Sequence, residues 1–550
     1  MASSASFSEW SKDVAAEFLA NVMIVDDRAR LSAGDESVKP TALVAPPRQG
    51  ATVPARGETG VSVANGAHSL YAKALIDEFA RHGIICGVFC PAEGQIDSFP
   101  KDFFSVIERA DVVILDWVLH EYKNGEKALE ILRELQRATK KEKGRARLVI
   151  IYSGENDLLQ IVAAIRKELK VGEETDSYTV QAGPIRVTVY AKEESRVVEE
   201  HKARKIKEAD LPNTAISEFS LMTGGLVSNV ALKSLAVLRA NTHQLLSTFS
   251  RTLDAPYITH RTLLLPEEAS DHIVPLIVAE IQSILEDERV GQLAGFSNIS
   301  RWLKYQVDRG LEFSIQHTNE QASFKGMKFL LKRGVSQVAV EEIFKSHKKF
   351  ADGLLRSPKN AARQVVSTLT ERLTLPAERS IVSNQDLAML MSIRSRYSTP
   401  PPVLRLGSIV LETRGKNSEF LLCVQPLCDS VRINKERSFP FLPLKKVSES
   451  AACDFLIKDR GGILRFALRS KPFEARMVTF KPAKTEREIV ARTAKTGRFF
   501  KASSGQSTYR WIADLKSDHA QRVANDYAYE ISRVGLTESE WLRKISQRND

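Results

Sequence analysis

The sequence contains little cysteine. Five cysteines in 550 residues are too few for a disulfide scaffold, so we expect reduced thiols and a cytoplasmic location. No apolar run approaches the roughly 18 residues of a membrane span, and the first residues lack the basic and apolar regions of a secretory signal. The P-loop, GxSxG and HExxH motifs are also missing, which favours a protein that is not an enzyme.

Acidic residues are scarce in one region near the C-terminal end. The net charge is +11, and residues 458–510 hold fourteen basic and four acidic side chains. Such a region attracts nucleic acid, anionic lipid or an acidic protein, unless it is only a solvated surface. Phe499, Phe500, Tyr509 and Trp511 lie among these basic residues. They indicate either single-strand binding by base stacking or an ordinary core.

The first third of the chain alternates between strand and helix patterns. Short runs of branched aliphatic residues predict five buried strands, at 21–25, 84–89, 111–115, 147–152 and 185–190. Helical patterns lie between them, for example at 68–81, 124–137 and 157–169. Alternation of this kind predicts a parallel sheet with helices on both faces. Residues 28–66 are rich in proline, glycine, alanine and serine, which predicts a long loop inserted after the first strand.

The remaining chain predicts two further domains. Residues 205–395 show helical periodicity, typical of a packing or dimerisation module, and a homodimer is an open alternative. Three prolines at 400–402 mark a boundary. Short strands follow, and two helices close the chain. The prediction is therefore a multidomain protein: an α/β domain over 1–200, an α-helical module over 205–395, and a basic, β-rich α+β domain over 400–550.

Carboxylates follow two of the predicted parallel strands. Asp26 and Asp27 end the first strand, and Asp116 ends the third. Because the carboxyl ends of such strands converge at one edge of the sheet, we expect these side chains to meet there. Acidic oxygens grouped in this way can hold Mg²⁺ and present one carboxylate to a phosphoryl donor. A polar turn or a helix cap is the alternative interpretation of the Asp-Asp pair.

With Ser153 after strand four and Lys192 after strand five, this pattern resembles the response-regulator receiver family. The resemblance covers about residues 15–200 and implies a flavodoxin-like, five-stranded parallel sheet. It implies that Asp116 is the phosphoacceptor and that Asp26, Asp27, Asp116 and the carbonyl of Val118 serve the Mg²⁺ site, with Asp26 acting mostly through water. Ser153 would then hydrogen-bond the phosphoryl group, and Lys192 would pair with it.

The sequence departs from the family pattern in three places. Asp27 and Asp116 are 89 positions apart, mostly because of the 28–66 loop, which either gates donor access or is inert. Ser153 and Lys192 are 39 positions apart, which leaves strand five insecure. The family's aromatic switch residue lies three positions before the lysine, where this chain has Val189. Tyr190 is one position later and would face the other side of the strand.

Three cysteines of the C-terminal region form a second candidate. Cys423, Cys428 and Cys453 lack zinc-site spacing, so buried cysteines are the better interpretation. Gln425, Asp429 and Arg432 surround Cys428. That segment is either a salt-bridged turn or a catalytic site with Cys428 as nucleophile.

These observations favour phosphorylation-dependent signalling in a bacterial cytoplasm, with a histidine kinase as the phosphodonor to Asp116. The whole chain also resembles, in architecture, the large receiver-containing proteins found with bacterial conflict and antiphage systems. Three outputs remain open: protein–protein interaction, nucleic-acid binding through the basic 458–510 region, and an effector enzyme in the C-terminal domain.

Overall fold

The structure is a computed structural model with two compact units. One contains Met1–Thr248 and Ala279–Gln364, and the other contains Phe249–Val278 and Val365–Asp550. The residues that the structure describes are 6–30, 70–91, 101–119, 125–141, 146–172, 176–263, 266–311, 313, 323–345, 348–356, 373, 383–397, 400–449, 451–460, 462–468, 471–483, 486–532 and 544. Most of the 28–66 loop, and most of the chain after residue 532 where the second closing helix is predicted, lie outside them.

Helices and strands alternate through the first part of the chain. In chain order they are α1 Phe7–Phe18, β1 Asn21–Val25, β2 Ala29–Arg30, β3 Leu70–Tyr71, α2 Ala72–Arg81, β4 Ile85–Phe89, α3 Lys101–Ile107, β5 Val112–Leu115, α4 Glu126–Lys141, β6 Arg147–Ser153, α5 Leu158–Leu169, β7 Thr179–Ala182, β8 Ile185–Lys192 and β9 Lys205–Ile206. Helices follow: α6 Leu211–Met222, α7 Leu226–Ala240, α8 Thr242–Thr248, α9 Asp254–Leu263, α10 Pro266–Asp287, α11 Phe296–Asp308, α12 Phe324–Arg333, α13 Gln337–Ile343 and α14 Lys348–Arg356.

The predicted parallel sheet is confirmed, and its strand order is β4-β1-β5-β6-β8. Numbered as the five predicted strands, this is the flavodoxin-like order 2-1-3-4-5. The number of strands is a correction, because the described sheet has seven. β7 pairs antiparallel with β8, and β9 pairs parallel with it. The extra hairpin arises because Gly183 has a φ of +63°, which closes a tight turn before β8.

Both faces of this sheet are covered. α3, α4 and α5 pack on one face around a core that includes Leu115, Ile151 and Val189. The opposite face packs against α1, α2, α6 and α7, with Phe79 and Phe219 in its core. All residues of β5 and β6 are therefore buried, which explains why both strands consist largely of aliphatic residues. α6 lies inside the stretch predicted as a separate helical module, and the predicted domain limits stay predictions.

The second unit is built around an antiparallel sheet, as predicted for a β-rich C-terminal region. Besides α9 and the first part of α10, its described helices and strands are α15 Ser383–Ser392, β10 Ser408–Arg414, β11 Asn417–Cys423, β12 Arg437–Lys446, β13 Phe455–Asp459, β14 Gly462–Leu468, β15 Arg476–Phe480, β16 Arg492–Ala494, β17 Gly497–Phe500, β18 Thr508–Asp514 and α16 Ser517–Ser532. The strand order is β13-β14-β12-β11-β10-β18-β17-β16, and β15 also pairs with β12. Within the described ranges, no helix is long and apolar enough to cross a membrane.

Candidate functional site

The carboxyl ends of β1 and β5 bring three carboxylates together. Asp26 follows β1 and donates its N–H to Phe89 of β4 (3.2 Å), while Asp116 follows β5 and donates its N–H to Val25 of β1 (2.9 Å). These bonds extend the sheet by one residue past each strand and so fix both backbones. One carboxylate oxygen from each of Asp26, Asp27 and Asp116 lies within 4.8 Å of the other two.

Lys192 joins two of these carboxylates from the end of β8. Its Nζ donates to Oδ2 of Asp116 (2.7 Å) and to Oδ2 of Asp26 (2.8 Å). Lys192 is 2% exposed and Asp116 is 7% exposed, so both bonds lie in a region of low dielectric. Buried charges persist only when they are paired, and here one ammonium serves two carboxylates.

Burial and ion pairing shift the pKa values of Asp116 and Lys192 in opposite directions. Burial raises the pKa of Asp116, Lys192 lowers it and Asp26 raises it, with the net effect that the pKa lies well above its usual range. Burial alone would lower the pKa of Lys192, but Asp116 and Asp26 together outweigh burial and raise it. The lysine is therefore charged, and the excess negative charge of the carboxylates favours a further cation.

The donor set fits Mg²⁺. An octahedral ion with oxygen ligands at about 2.1 Å holds them about 3–4 Å apart, so small side-chain movements would close the three carboxylates around it. Asp26 has both oxygens engaged, because its Oδ1 also accepts the N–H of Arg28 (2.8 Å). Asp116 accepts the N–H of Val118 on Oδ1 (3.3 Å). The metal role of the Val118 carbonyl stays a prediction.

Comparison with known proteins agrees with this geometry. Residues 18–197 match the model of a family described as the response receiver domain. This part of the chain is a receiver domain. No curated protein and no solved structure matches the chain. Receiver domains bind Mg²⁺ at an acidic pocket, and the described residues that could hold a metal ion are Asp26, Asp27 and Asp116.

Ser153 ends β6 of the receiver domain and is fully buried. Its Oγ accepts the N–H of Glu155 (3.0 Å), and its carbonyl accepts the hydroxyl of Ser195 (3.2 Å). The hydroxyl is thus held by the local turn. Ser195 is a buried residue that the sequence did not single out, and it lies three residues after Lys192.

The residues around the family's aromatic switch position lie on opposite faces of β8. Val189 is buried in the core beneath α3, α4 and α5. Tyr190 faces the other side, where its hydroxyl donates to Oε1 of Glu218 on α6 (2.7 Å). Arg186 also bonds that carboxylate (3.0 Å). Tyr190 therefore contacts the helix that follows the receiver domain and does not occupy the family's switch position.

Tyr152 contacts the site lysine, Lys192, and the sequence did not reveal this contact. The ammonium of Lys192 lies 5.7 Å from the centre of its ring. The Tyr152 hydroxyl donates to the carbonyl of Ile206 (3.1 Å), and Ile206 pairs with Lys192 across β8 and β9. The site lysine is thus joined to β9 both through the backbone ladder and through Tyr152.

The described residues that flank the long insertion lie beside each other. Ala29 pairs with Leu70, and Arg30 pairs with Tyr71, in the short parallel ladder of β2 and β3. Cys90 donates its thiol to the carbonyl of Asp27 (3.2 Å) from the end of β4. The insertion therefore begins and ends next to the acidic cluster, while its predicted role in donor access remains a prediction.

The cysteines of the C-terminal unit differ in burial. Cys423 is buried, Cys453 is half-buried and Cys428 is exposed, so the predicted burial of all three is wrong for Cys428. Cys428 lies in the short helical turn Leu427–Asp429, between β11 and β12. The turn is tied by Arg437, which donates to the Asp429 carbonyl (2.8 Å) and carboxylate (3.1 Å).

Proposed function

We propose that this protein is a phosphorylation switch of a bacterial phosphorelay in the cytoplasm, with a histidine kinase as phosphodonor and Asp116 as phosphoacceptor. The observation that carries the proposal is the convergence of Asp116, Asp26, Asp27 and Lys192 at one edge of the receiver sheet. Asp26, Asp27 and Asp116 are the proposed holders of Mg²⁺, which supplies charge neutralisation for the incoming phosphoryl oxygens.

The chemistry is an in-line phosphoryl transfer. A carboxylate oxygen of Asp116 forms a bond to phosphorus while the P–N bond to the donor imidazole breaks. The imidazole keeps the electron pair of that bond and takes a proton from solvent. Lys192 already donates to Oδ2 of Asp116, so its ammonium is in place to pair with the new phosphoryl oxygens.

Two polar groups would change partners after the transfer. Ser153 Oγ now accepts from Glu155, and rotation would let the hydroxyl donate to the phosphoryl group. Lys192 would exchange part of its bonding to Asp26 for the phosphoryl oxygens. Both changes convert a local charge into a displacement of the loop and strand that carry these residues.

The route from the site to α6 runs through β9. Lys192 pairs with Ile206 in the sheet, and Tyr152 fixes the Ile206 carbonyl by a hydrogen bond. α6 follows shortly after β9, and its Glu218 holds Tyr190 and Arg186 of β8. A shift of Lys192 would therefore alter β9 first and the attachment of α6 next.

Phosphorylation is tested with acetyl phosphate and Mg²⁺, followed by intact-mass measurement. Wild type should gain one acid-labile phosphoryl group, and removal of Mg²⁺ with EDTA should prevent the gain. Asp116→Asn should gain none. Glu155→Gln is the matched control, because it removes one exposed carboxylate next to the site and should label as wild type does. Equal labelling of Asp116→Asn and wild type would rule out the proposal.

The route through β9 is tested by hydrogen–deuterium exchange with and without acetyl phosphate. We expect phosphorylation to change exchange in β9 and α6. Tyr152→Phe removes only the hydroxyl that donates to Ile206, so it should reduce the change in α6 while labelling at Asp116 persists. An unchanged exchange response in that variant would show that the signal leaves the receiver domain by another path.

A further inference from the structure

A cluster of arginines surrounds Pro400 in the second unit. Arg396 and Arg498 both donate to the Pro400 carbonyl, at 2.5 and 3.4 Å. Two guanidinium groups that share one acceptor atom lie close together despite their like charge. Arg394 and Arg405 also lie near enough to Arg396 to act on it electrostatically. These four arginines are called the Pro400 surface below.

A buried carboxylate lies beside these arginines. Asp514 lies 3.7 Å from Arg396 and is buried. Burial lowers the pKa of Arg396, Asp514 raises it, and Arg498, Arg394 and Arg405 lower it again. The pKa of Arg396 is thus below its ordinary value. Three neighbouring arginines thus act against the charge of Arg396, and an anion bound here would relieve that repulsion.

Other arginines of the same region are neutralised within the sheet. Arg476 pairs with Glu412 (3.3 Å) and Glu419 (2.6 Å). Arg510 forms a bidentate salt bridge with Asp459, with N–O distances of 2.9 and 2.7 Å. The basic character of residues 458–510 is therefore not uniform, and composition alone overstates what these residues offer to a partner.

A basic cleft continues the Pro400 surface along the chain. The cleft measures about 660 Å³ and begins at Pro401. The segment just before β16 lines it and is held by the bond from the Ala491 N–H to the Pro402 carbonyl (2.8 Å). Lys481, Arg492 and Lys501 line it together with Glu436 and Glu486. Cations therefore continue from the arginine cluster into this cleft, where two carboxylates lie among them.

Aromatic rings accompany the cations. The guanidinium of Arg396 lies 5.0 Å from the ring centre of Trp511. Tyr397, the next residue along the chain, is 82% exposed. Alternating phosphates and bases need both kinds of group, since guanidinium forks bind phosphate and exposed rings stack on unpaired bases. An acidic peptide offers no flat base on which such a ring could stack.

We propose that the Pro400 surface and its adjoining cleft bind single-stranded nucleic acid, with the arginines on the phosphates and Tyr397 as a stacking platform. RNA and single-stranded DNA share this chemistry. The proposal is independent of phosphorylation at Asp116, because it concerns charges of the second unit in the unmodified chain.

The test is fluorescence anisotropy of the full chain with labelled RNA and DNA strands of about 20 nucleotides, longer than one typical site. Salt is varied between about 50 and 200 mM. Arg394→Ala/Arg498→Ala/Lys501→Ala should weaken binding on the order of 100-fold near 0.1 M salt, because three phosphate contacts are lost. The slope of log affinity against log salt should fall by about 2.

The matched control is Lys445→Ala/Lys446→Ala/Lys458→Ala, which removes three exposed cations elsewhere in the same unit. It should bind within a few-fold of wild type. Tyr397→Ala should weaken binding and leave the salt slope unchanged, because it removes stacking and no charge. Arg394 and Lys501 are exposed, so Arg394→Ala/Lys501→Ala repeats the test if the triple variant fails to fold.

Three results would overturn the proposal. The first is no binding of either strand near 50 mM salt, and the second is equal losses in the variant and the control. The third is binding only to phosphatidylserine vesicles or to polyglutamate, which would assign the surface to lipid or to acidic protein. Tighter binding of RNA than of DNA, or the reverse, would support the proposal and identify the natural ligand class.

Discussion

Charged residues occur in two contrasting settings in this molecule. In the receiver domain Lys192 and two aspartates are buried at the edge of a parallel sheet, and each bond among them is within 2.8 Å. In the second unit several arginines are exposed, such as Arg437 beside Asp429, while Arg510 of the antiparallel sheet is half-buried. Buried ions depend on their partners for stability, while exposed ions exchange partners at little cost.

This difference indicates separate uses: the buried charges suit phosphoryl transfer, and the exposed charges suit binding of a partner. A buried lysine that must keep two carboxylates paired responds strongly when one of them acquires a phosphoryl group. An exposed arginine gains little from its neighbour, so a polyanion that releases counterions can recruit it. The following four substitutions test the contrast, beginning with the largest expected effect.

Lys192→Met should be the most damaging substitution. It leaves Asp26 and Asp116 buried without their cation, so the free energy of unfolding in Mg²⁺-free buffer should fall by about 3–5 kcal/mol. Urea denaturation measures it. Lys192→Met/Asp26→Asn removes one of the two carboxylates that lose their cation, so it should recover part of the lost free energy of unfolding. If both variants unfold at the wild-type urea concentration, the buried pairing does not stabilise the fold.

Asp27→Asn should weaken Mg²⁺ binding by about 10- to 100-fold while the fold stays intact. Asp27 is the half-buried member of the carboxylate group and a proposed direct ligand of Mg²⁺. Isothermal titration calorimetry measures the affinity. Glu155→Gln serves as the charge-matched control, and an equal loss in the two variants would assign the effect to general charge.

Arg510→Ala tests the strongest pair of the second unit. The bidentate salt bridge from Arg510 to Asp459 is partly buried. Loss of this salt bridge should lower the free energy of unfolding by about 1.5 kcal/mol. Arg510 lowers the pKa of Asp459 below its ordinary 3.8. In wild type, therefore, the contribution of this pair is present above pH 3.8 and is lost as the pH falls through the lowered pKa. In Arg510→Ala that acid-dependent loss should be smaller, and an unchanged acid profile would count against the pairing.

Arg437→Ala should have the smallest effect of the four. Its pair with Asp429 is exposed on both sides, so we expect a loss of at most about 0.5 kcal/mol in urea denaturation. A loss as large as that of Lys192→Met would remove the contrast between buried and exposed charges.

The parallel sheet and its acidic edge could be predicted because their signals are local. Runs of branched aliphatic residues gave β1, β5 and β6, and strand ends in such a sheet meet at one edge. The β7 hairpin was missed because its turn, at Gly183, joins a strand of only four residues to β8. Short edge strands carry too little periodicity to stand out from a loop.

Contacts between distant residues could not be predicted. Tyr152 and Ile206 are 54 positions apart, and their bond depends on β9 pairing beside Lys192. Arg498 and Pro400 are 98 positions apart. Composition located the basic region, but only the fold distinguishes Arg510, which pairs with Asp459, from Arg498, which lies in the arginine cluster. The exposure of Cys428 likewise depends on a turn that local sequence does not specify.

The central claim is that Asp116 accepts the phosphoryl group. The most direct measurement is borohydride reduction of the acetyl phosphate-treated protein, followed by peptide mass spectrometry, since reduction converts a phosphorylated aspartate to homoserine. We predict homoserine at position 116 only, and only when Mg²⁺ was present. Homoserine at position 26 or 27, or none at position 116, would contradict the account.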